Sequence, residues 1–168
     1  MKHVFFISMM CLLVLSGCKF SYSFVGTNID YNETKTINIK EFTNQAALVY
    51  PTLTQIFSER MRDVYAKSTR LKFTDRDPDI EIEGEITRYD LSQQAVKDNA
   101  YASESRLTIG VTVRYKNNKN PAVNKSFSFS TYEVFSNSQT LTDVQDQLVS
   151  KMTTDLVDQI FNGTMSNW

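Results

Sequence analysis

The sequence predicts an α+β fold in which two helices pack on one face of a mainly antiparallel sheet of four to five strands. Two observations predict it. Several stretches between residues 80 and 135 alternate apolar and polar side chains, which is typical of strands with one wet face. Two other stretches, near residues 51–67 and 140–161, repeat apolar side chains every three or four positions, which is typical of amphipathic helices. The predicted element order is β-α-β-β-β-β-α, with both helices on the apolar face of the sheet.

The start of the chain predicts a lipid anchor. A charged residue, Lys2, precedes an apolar run over residues 4–15 that has signal-peptide length and is too short to span a bilayer. Leu15-Ser16-Gly17-Cys18, at the end of this run, resembles the bacterial lipobox. It predicts a lipoprotein signal peptide over residues 1–17 and lipid attachment at Cys18, so that the lipid holds the mature protein at a membrane. An ordinary cleaved signal with an incidental cysteine is the alternative.

The remaining chain predicts one domain. Removing residues 1–17 from 168 leaves 151, which is enough for a single domain with a real core. We expect a lipidated tether over residues 18–33 and one α+β domain over residues 34–168. Lys2 is the only charged residue removed, so the net charge changes from −1 to −2, and no overall basicity indicates nucleic acid binding.

Absent residue types exclude many kinds of chemistry. His3 and Cys11 lie in the predicted signal peptide, so the mature chain has no histidine and no thiol other than Cys18. This excludes serine–histidine triads, cysteine–histidine pairs, zinc sites built on His or Cys, and a disulfide framework. The glycines are too far apart for a dinucleotide or phosphate loop. We therefore expect no enzyme, no cofactor and no metal site.

The tether carries a regular pattern of its own. Phe20, Tyr22 and Phe24 alternate with smaller side chains over residues 19–29, as in extended chain. We favour the interpretation that this segment pairs with an edge of the domain's own sheet. An aromatic strip resting near the lipid headgroups is the other interpretation.

The first half of the domain reads as strand, helix, strand, strand. Apolar residues predict a first strand over residues 36–42, and Pro51 suits the first turn of a helix over residues 51–67. A second strand begins at Leu71, and the clearest strand runs over residues 80–91. Gly84 lies on the apolar face of that strand, which predicts either close approach by a helix or a β-bulge.

The second half reads as loop, two strands and a helix. Residues 92–105 are polar and predict a flexible loop, followed by strands over residues 106–116 and 124–135. The last strand has apolar residues on both faces, which predicts a bulge near Ser130 or Thr131. Thr140 and Asp143 resemble a capping box that opens the final helix, and Gly163 predicts its end.

A row of glutamates is the one constellation that resembles a catalytic site. Glu81, Glu83 and Glu85 share one face of the predicted strand, at a spacing that overlaps the carboxylate separation of inverting glycoside hydrolases. Nothing on a flat wet sheet raises the pKa of one carboxyl above that of another. We therefore favour a solvated face with ordinary cross-strand charge pairs, and keep a carboxylate-dependent glycan hydrolase as a lesser alternative.

A basic stretch is the second candidate site. No acidic residue occurs between Glu104 and Glu133, although five Lys and Arg residues do. Such a hairpin could bind a polyanion such as a phosphorylated glycolipid, with Arg114, Lys116 and Lys119 as possible contacts. Protection of a sheet edge by lysines is the alternative of similar weight.

Five stretches of the mature sequence, in their order and spacing, carry a family resemblance: Cys18 to Gly26, Pro51 to Glu59, Glu83 to Tyr89, Arg106 to Ile109 and Ile160 to Trp168. Together they resemble the Bacteroidetes-type form of the LptE family of lipopolysaccharide-assembly lipoproteins. The resemblance implies an outer-membrane lipoprotein, without catalysis, that plugs an LptD-like β-barrel and assists lipopolysaccharide delivery to the outer leaflet. The domain would face the periplasm or the barrel lumen. An auxiliary lipoprotein of a membrane transporter complex remains the alternative.

The lipobox gives a first test. Replacing the predicted acylated residue, Cys18→Ala, removes the only sulfur to which the lipid can be attached. We expect this variant to incorporate no radiolabelled palmitate and to be left uncleaved or mislocalised. Normal palmitate incorporation into Cys18→Ala would refute the lipid anchor.

Overall fold

The computed structural model describes residues 29–94 and 104–165, which form one sheet of six strands and two α-helices. The strands are β1 (Thr36–Ile39), β2 (Thr43–Asn44), β3 (Lys72–Phe73), β4 (Ile80–Gln93), β5 (Glu104–Asn117) and β6 (Lys125–Ser136). The helices are α1 (Leu53–Ser68) and α2 (Leu141–Met165). Cys18, the predicted signal peptide and most of the predicted tether lie outside the described residues.

The sheet is mixed, with strand order β3-β1-β4-β5-β6 and β2 paired beside β4. The β4, β5 and β6 strands are antiparallel neighbours, whereas β1 pairs in parallel with β3 and β4, and β2 pairs in parallel with β4. The α+β class with two helices is therefore confirmed. The predicted strand count and the mainly antiparallel character differ slightly, because α1 is a crossover connection that returns the chain in parallel and because β2 and β3 are only two residues long.

The long antiparallel pair β4–β5 supplies most of the apolar face. Ile80, Ile82 and Ile86 of β4 are fully buried, as are Leu107 and Ile109 of β5. The pairing register shifts between Ile86 and Arg88, so a bulge at Thr87 lets Tyr89 point to the same face as Ile86. Both strands extend into the predicted 92–105 loop, because their polar end residues still pair through the backbone.

The predicted bulge in β6 is wrong. Pairing between β5 and β6 is continuous from Glu104↔Ser136 to Tyr115↔Lys125. Phe127 and Phe129 therefore point to the helices, while Tyr132 and Val134 point away from them and stay 56% and 43% exposed. The mixed apolar pattern reflects side chains on both faces of a regular strand.

Both helices cover the apolar face. The α1 helix buries Leu53, Phe57, Met61 and Tyr65, and the Tyr65 ring meets Phe161 of α2 edge to face at 5.1 Å between centroids. Apolar residues of α2 complete this layer: Val149, Met152, Leu156, Val157, Ile160 and Met165.

The ends of α2 differ in how well the sequence predicted them. The capping interaction is present, because the Thr140 N–H donates to Asp143 Oδ2 at 2.8 Å. Gly163 is not a helix stop, since α2 continues to Met165. A Cβ at Gly163 would lie 2.9 Å from Phe129 Cζ, so this glycine makes room for the aromatic ring of β6.

Gly84 is closely packed, but its neighbour is the side chain of Phe42 and not the helix that we expected, and the bulge in β4 lies at Thr87 instead. The Phe42 ring, which is 1% exposed, lies directly over Gly84, and a Cβ there would lie 2.3 Å from Phe42 Cε1. Phe57 of α1 packs against Phe42 at 4.8 Å between ring centroids, and Ser58 Oγ accepts the Phe42 N–H. The Phe42 ring is therefore held by contacts with both β4 and α1.

This packing gives a stability test. We expect Gly84→Ala to lower the free energy of unfolding by about 1–3 kcal/mol, because the added methyl overpacks a fixed aromatic ring. Chemical denaturation of the mature domain measures it. Phe42→Leu in the same chain should recover part of the loss, since neighbouring substitutions are coupled. An unchanged denaturation midpoint for Gly84→Ala would contradict this packing.

Candidate polyanion-binding face

The sheet surface opposite the helices, here called the outer face, carries most of the candidate residues. It is formed by outward side chains of three neighbouring strands: Glu81, Glu83, Glu85, Arg88 and Asp90 of β4; Arg106, Thr108, Thr112, Arg114 and Lys116 of β5; Ser126, Ser128, Ser130, Tyr132 and Val134 of β6. The strand alternation that buries the isoleucines of β4 places these charges on one open surface.

Two cations pair with the glutamate row. Lys40 Nζ lies 3.2 Å from Glu81 Oε2 and 3.1 Å from Glu83 Oε2. Arg114 lies between Glu83 and Glu85, with nitrogen–oxygen distances of 3.7 and 3.8 Å. These contacts confirm the cross-strand charge pairing that we favoured over a hydrolytic site.

The electrostatics of Glu81 also oppose acid catalysis. The pKa of Glu81 is lowered, chiefly because the Asn118 side-chain amide donates to its carboxylate, with a further contribution from Lys40. A general acid needs the opposite shift. Lys40 is a residue that sequence reasoning missed, because it lies about forty positions from its partners and no local pattern connects them.

Lys119 is held in place at the turn between β5 and β6. Its Nζ lies 3.3 Å from Asp79 Oδ1, and Asp79 also accepts the backbone N–H groups of Lys35 and Thr36 at 2.8 and 3.0 Å. Asp79 thus joins the start of β1, the start of β4 and this turn. Much of the charge of Lys119 is already compensated within the domain.

Lys116 and Arg114 border a shallow depression on the outer face. Glu83, Asn124 and Ser126 line the rest, together with Tyr115 and Lys125, whose pairing turns both side chains to the helical side of the sheet. Among the described residues, Lys116 and Lys125 have no ion-pair partner within 4 Å, whereas Arg114 and Lys119 do. Lys116 is therefore the predicted contact with the most charge to offer.

Arg106 is a further cation, and it lies at the opposite end of the outer face from Lys116. The Arg106 guanidinium stacks on the exposed Tyr132 ring at 4.2 Å from its centroid, and its Nε is buried without a hydrogen-bond partner among the described residues. The stacking orients the cation without neutralising it. The structure does not bring Arg106 together with Lys116, because they lie ten residues apart along β5.

Within the described ranges, no cluster of three or more Cys, Asp or Glu side chains has the geometry to hold a metal ion. No described helix is both long enough and apolar enough to cross a membrane. Paired carboxylates on an open sheet, with two helices behind it, define an α+β domain suited to binding rather than to acid catalysis.

The family follows from comparison with known sequences. The family model LptE, described as lipopolysaccharide-assembly, matches residues 34–163. The chain therefore belongs to the LptE family, as its sequence resemblance indicated. This is a non-enzymatic family of lipopolysaccharide-assembly lipoproteins, so the prediction that the chain is not an enzyme is confirmed. Comparison with curated proteins finds no match.

Several solved structures match the chain at low identity and with TM-scores below 0.5. The minor lipoprotein from Acinetobacter baumannii is 14% identical over 75% of this chain and 88% of its own, with a TM-score of 0.49. The rare lipoprotein B from Shewanella oneidensis is 14% identical over 75% and 92%, with a TM-score of 0.46. The PelC dodecamer from Paraburkholderia phytofirmans is 10% identical over 80% and 91%, with a TM-score of 0.49.

The Asp79 junction gives a pH test. Hydrogen bonding from the Lys35 N–H lowers the pKa of Asp79, so its carboxylate stabilises the fold above its usual pKa of about 4, and this stabilisation is lost as the pH falls through the lowered value. We expect Asp79→Asn to cost about 1–3 kcal/mol of unfolding free energy at pH 7 and less at a pH below the lowered pKa of Asp79.

Denaturation midpoints across that pH range measure the effect. The matched control is Asp63→Asn, which removes a carboxylate from an exposed pair on α1 and should change stability little. Equal pH dependence in the wild type and in Asp79→Asn would contradict the role given to Asp79.

Proposed function

We propose that this lipoprotein is held in the outer membrane by lipid on Cys18, binds inside an LptD-like β-barrel and assists delivery of lipopolysaccharide to the outer leaflet. Membership of the LptE family is the observation that carries the proposal, since it already assigns the chain to lipopolysaccharide assembly. The lipobox supports the anchor, and the polar outer face supports contact with a charged ligand or a hydrophilic lumen.

The basic depression is the proposed contact for the phosphate groups of lipopolysaccharide. Lys116, which has no ion-pair partner within 4 Å among the described residues, supplies positive charge, and Arg114 supplies a planar fork of donors beside it. Lys119 would contribute less, because Asp79 already pairs with it. The neighbouring glutamates repel anions. They therefore favour a ligand with separate phosphate groups that fit between the glutamates, and they disfavour a uniformly anionic surface.

The partner can be tested by affinity purification. We expect the tagged full-length lipoprotein, extracted in mild detergent, to recover a large outer-membrane β-barrel protein in near-equal amount. Cys18→Ala should recover less, because it removes the anchor that places the domain beside the barrel. Recovery of transporter subunits alone would favour the auxiliary lipoprotein instead.

The ligand contact can be tested by removing charge. We expect Lys116→Gln with Arg114→Gln to weaken lipopolysaccharide binding about tenfold or more at low salt, which corresponds to the loss of one or two charge-assisted contacts. Equilibrium binding of purified protein to labelled lipopolysaccharide measures it.

The control is a double variant with the same charge change on the helical side, Arg60→Gln with Lys67→Gln, and it should bind as the wild type does. Equal affinities for the two double variants would show that the basic depression does not hold the ligand. Unchanged denaturation midpoints confirm that neither variant acts by unfolding the domain.

A further inference from the structure

The free edge of β6 can accept a further strand. β6 is twelve residues long, and among the described strands it pairs only with β5. It contains no proline and no bulge, so its backbone is regular along the whole edge. Natural sheets normally protect such an edge, since its free N–H and C=O groups can pair with another strand.

The pairing of β5 identifies which backbone groups of β6 are free. Gln94 N–H donates to Glu104 C=O at 2.9 Å, and Asn118 N–H donates to Asp79 C=O at 2.8 Å. Even-numbered residues at both ends of β5 thus bond to the β4 side, and because antiparallel pairing alternates, odd-numbered residues bond to β6. Odd residues of β5 lie opposite odd residues of β6, so the even-numbered residues of β6 direct their N–H and C=O groups to the free edge. A strand that pairs with β6 must bond to these even-numbered residues.

The side of β6 that faces the helices has opposite charges at its two ends. Lys125, at the start of the strand, has no ion-pair partner within 4 Å among the described residues. Glu133, near the end, pairs with Lys151 of α2 at 2.6 Å. Glu133 and, less strongly, Asp155 raise the pKa of Lys151, so both carboxylates lie near its ammonium. Two carboxylates therefore share one cation at this end, and the surplus charge is negative.

Two phenylalanines lie between these charges on the same side of β6. Phe127 and Phe129 stack at 5.9 Å between ring centroids and are only partly buried against the core. They belong to the last strand of the described sheet, so each ring has a strand on one side only. A strand added at this edge would give them the second cross-strand neighbour that stabilises side chains within a sheet.

We propose that two copies of the chain pair through β6, antiparallel and about a twofold axis at Phe129, and so form one continuous sheet. Each Lys125 then lies opposite Glu133 of the other copy, and the two Phe129 side chains meet at the axis. Even-numbered residues lie opposite even-numbered residues, as the free backbone groups require. The helices of both copies stay on the same side of the sheet, because residues opposite each other point to one face.

Charge selects this register among those that the backbone allows. Even-to-even pairing permits the strands to shift by two residues, which moves the axis by one. An axis at Ser130 would place Glu133 opposite Phe127, and an axis at Ser128 would place Lys125 opposite Thr131. Neither of these pairs opposite charges, whereas the axis at Phe129 brings each Lys125 to the end of β6 where negative charge is in surplus. That register also forms about eight backbone hydrogen bonds between the two β6 strands.

Sedimentation equilibrium of the purified mature lipoprotein, in a detergent matched to the density of the solvent, measures the dimer. Neither lipopolysaccharide nor a barrel is present, so the outcome is independent of the proposed function. We expect the wild type to dimerise reversibly with increasing concentration. Ser128→Pro should raise the dissociation constant at least about tenfold, because proline removes an N–H that points to the other copy. That N–H makes no bond to β5, so the denaturation midpoint should change little.

Charge variants test the register. Lys125→Glu alone sets glutamate opposite glutamate, and Glu133→Lys alone sets lysine opposite lysine, so each should dimerise at least about tenfold more weakly than the wild type. Mixed in equal amounts, the two variants should form a heterodimer about as tight as the wild-type dimer, because opposite charges again face each other. Lys67→Glu, which makes the same charge change on α1, is the matched control and should dimerise as the wild type does. Denaturation midpoints report that each variant is folded.

Three results would overturn the proposal. A wild type that stays monomeric up to about 1 mM protein does not pair through this edge. A dimer that Ser128→Pro leaves unchanged has its interface elsewhere. A mixture of the two charge variants that associates no better than either variant alone contradicts the register centred on Phe129.

Discussion

The antiparallel pairing of β4 with β5 is the constraint on which the rest of the structure depends. Because side chains alternate along both strands, one register simultaneously buries Ile80, Ile82 and Val113 and brings Glu83 opposite Arg114. A slip of one residue would place the charges beneath the helices and the isoleucines in water. The bulge at Thr87 keeps this division intact over the full length of the pair. Core and outer face are therefore two consequences of one alignment.

Sequence reasoning succeeded where the signal is local. Alternation and helical periodicity identified both helices, the long strands and the wet face, and the absence of space for a side chain at Gly84 was anticipated. It failed where the outcome depends on contacts between distant segments. Apolar residues on both faces of β6 suggested a bulge, but β6 is a regular strand. Gly163 leaves space for the Phe129 ring and does not end α2. The ion pairs of Lys40 and Lys119 likewise depend on partners about forty residues away.

Internal charge pairing shapes what the candidate site can do. Arg114 and Lys119 looked like free cations in the sequence, but each has an acidic partner. Of the three predicted contacts, Lys116 is the one that lacks an ion-pair partner within 4 Å among the described residues. Acid catalysis requires two carboxyls in different environments, and the cations that pair with the glutamate row do not supply that difference. The proposed contact of the outer face with a charged ligand agrees with membership of a lipopolysaccharide-assembly family.

The most direct test of this account is lipopolysaccharide delivery in the bacterium that encodes the protein. When the chromosomal copy is depleted, pulse-labelled lipopolysaccharide should still be synthesised but should no longer become accessible to a surface-modifying probe. Expression of the wild-type chain should restore surface labelling, while Cys18→Ala should not. Normal arrival of newly made lipopolysaccharide at the cell surface during depletion would contradict the assigned role in lipopolysaccharide assembly.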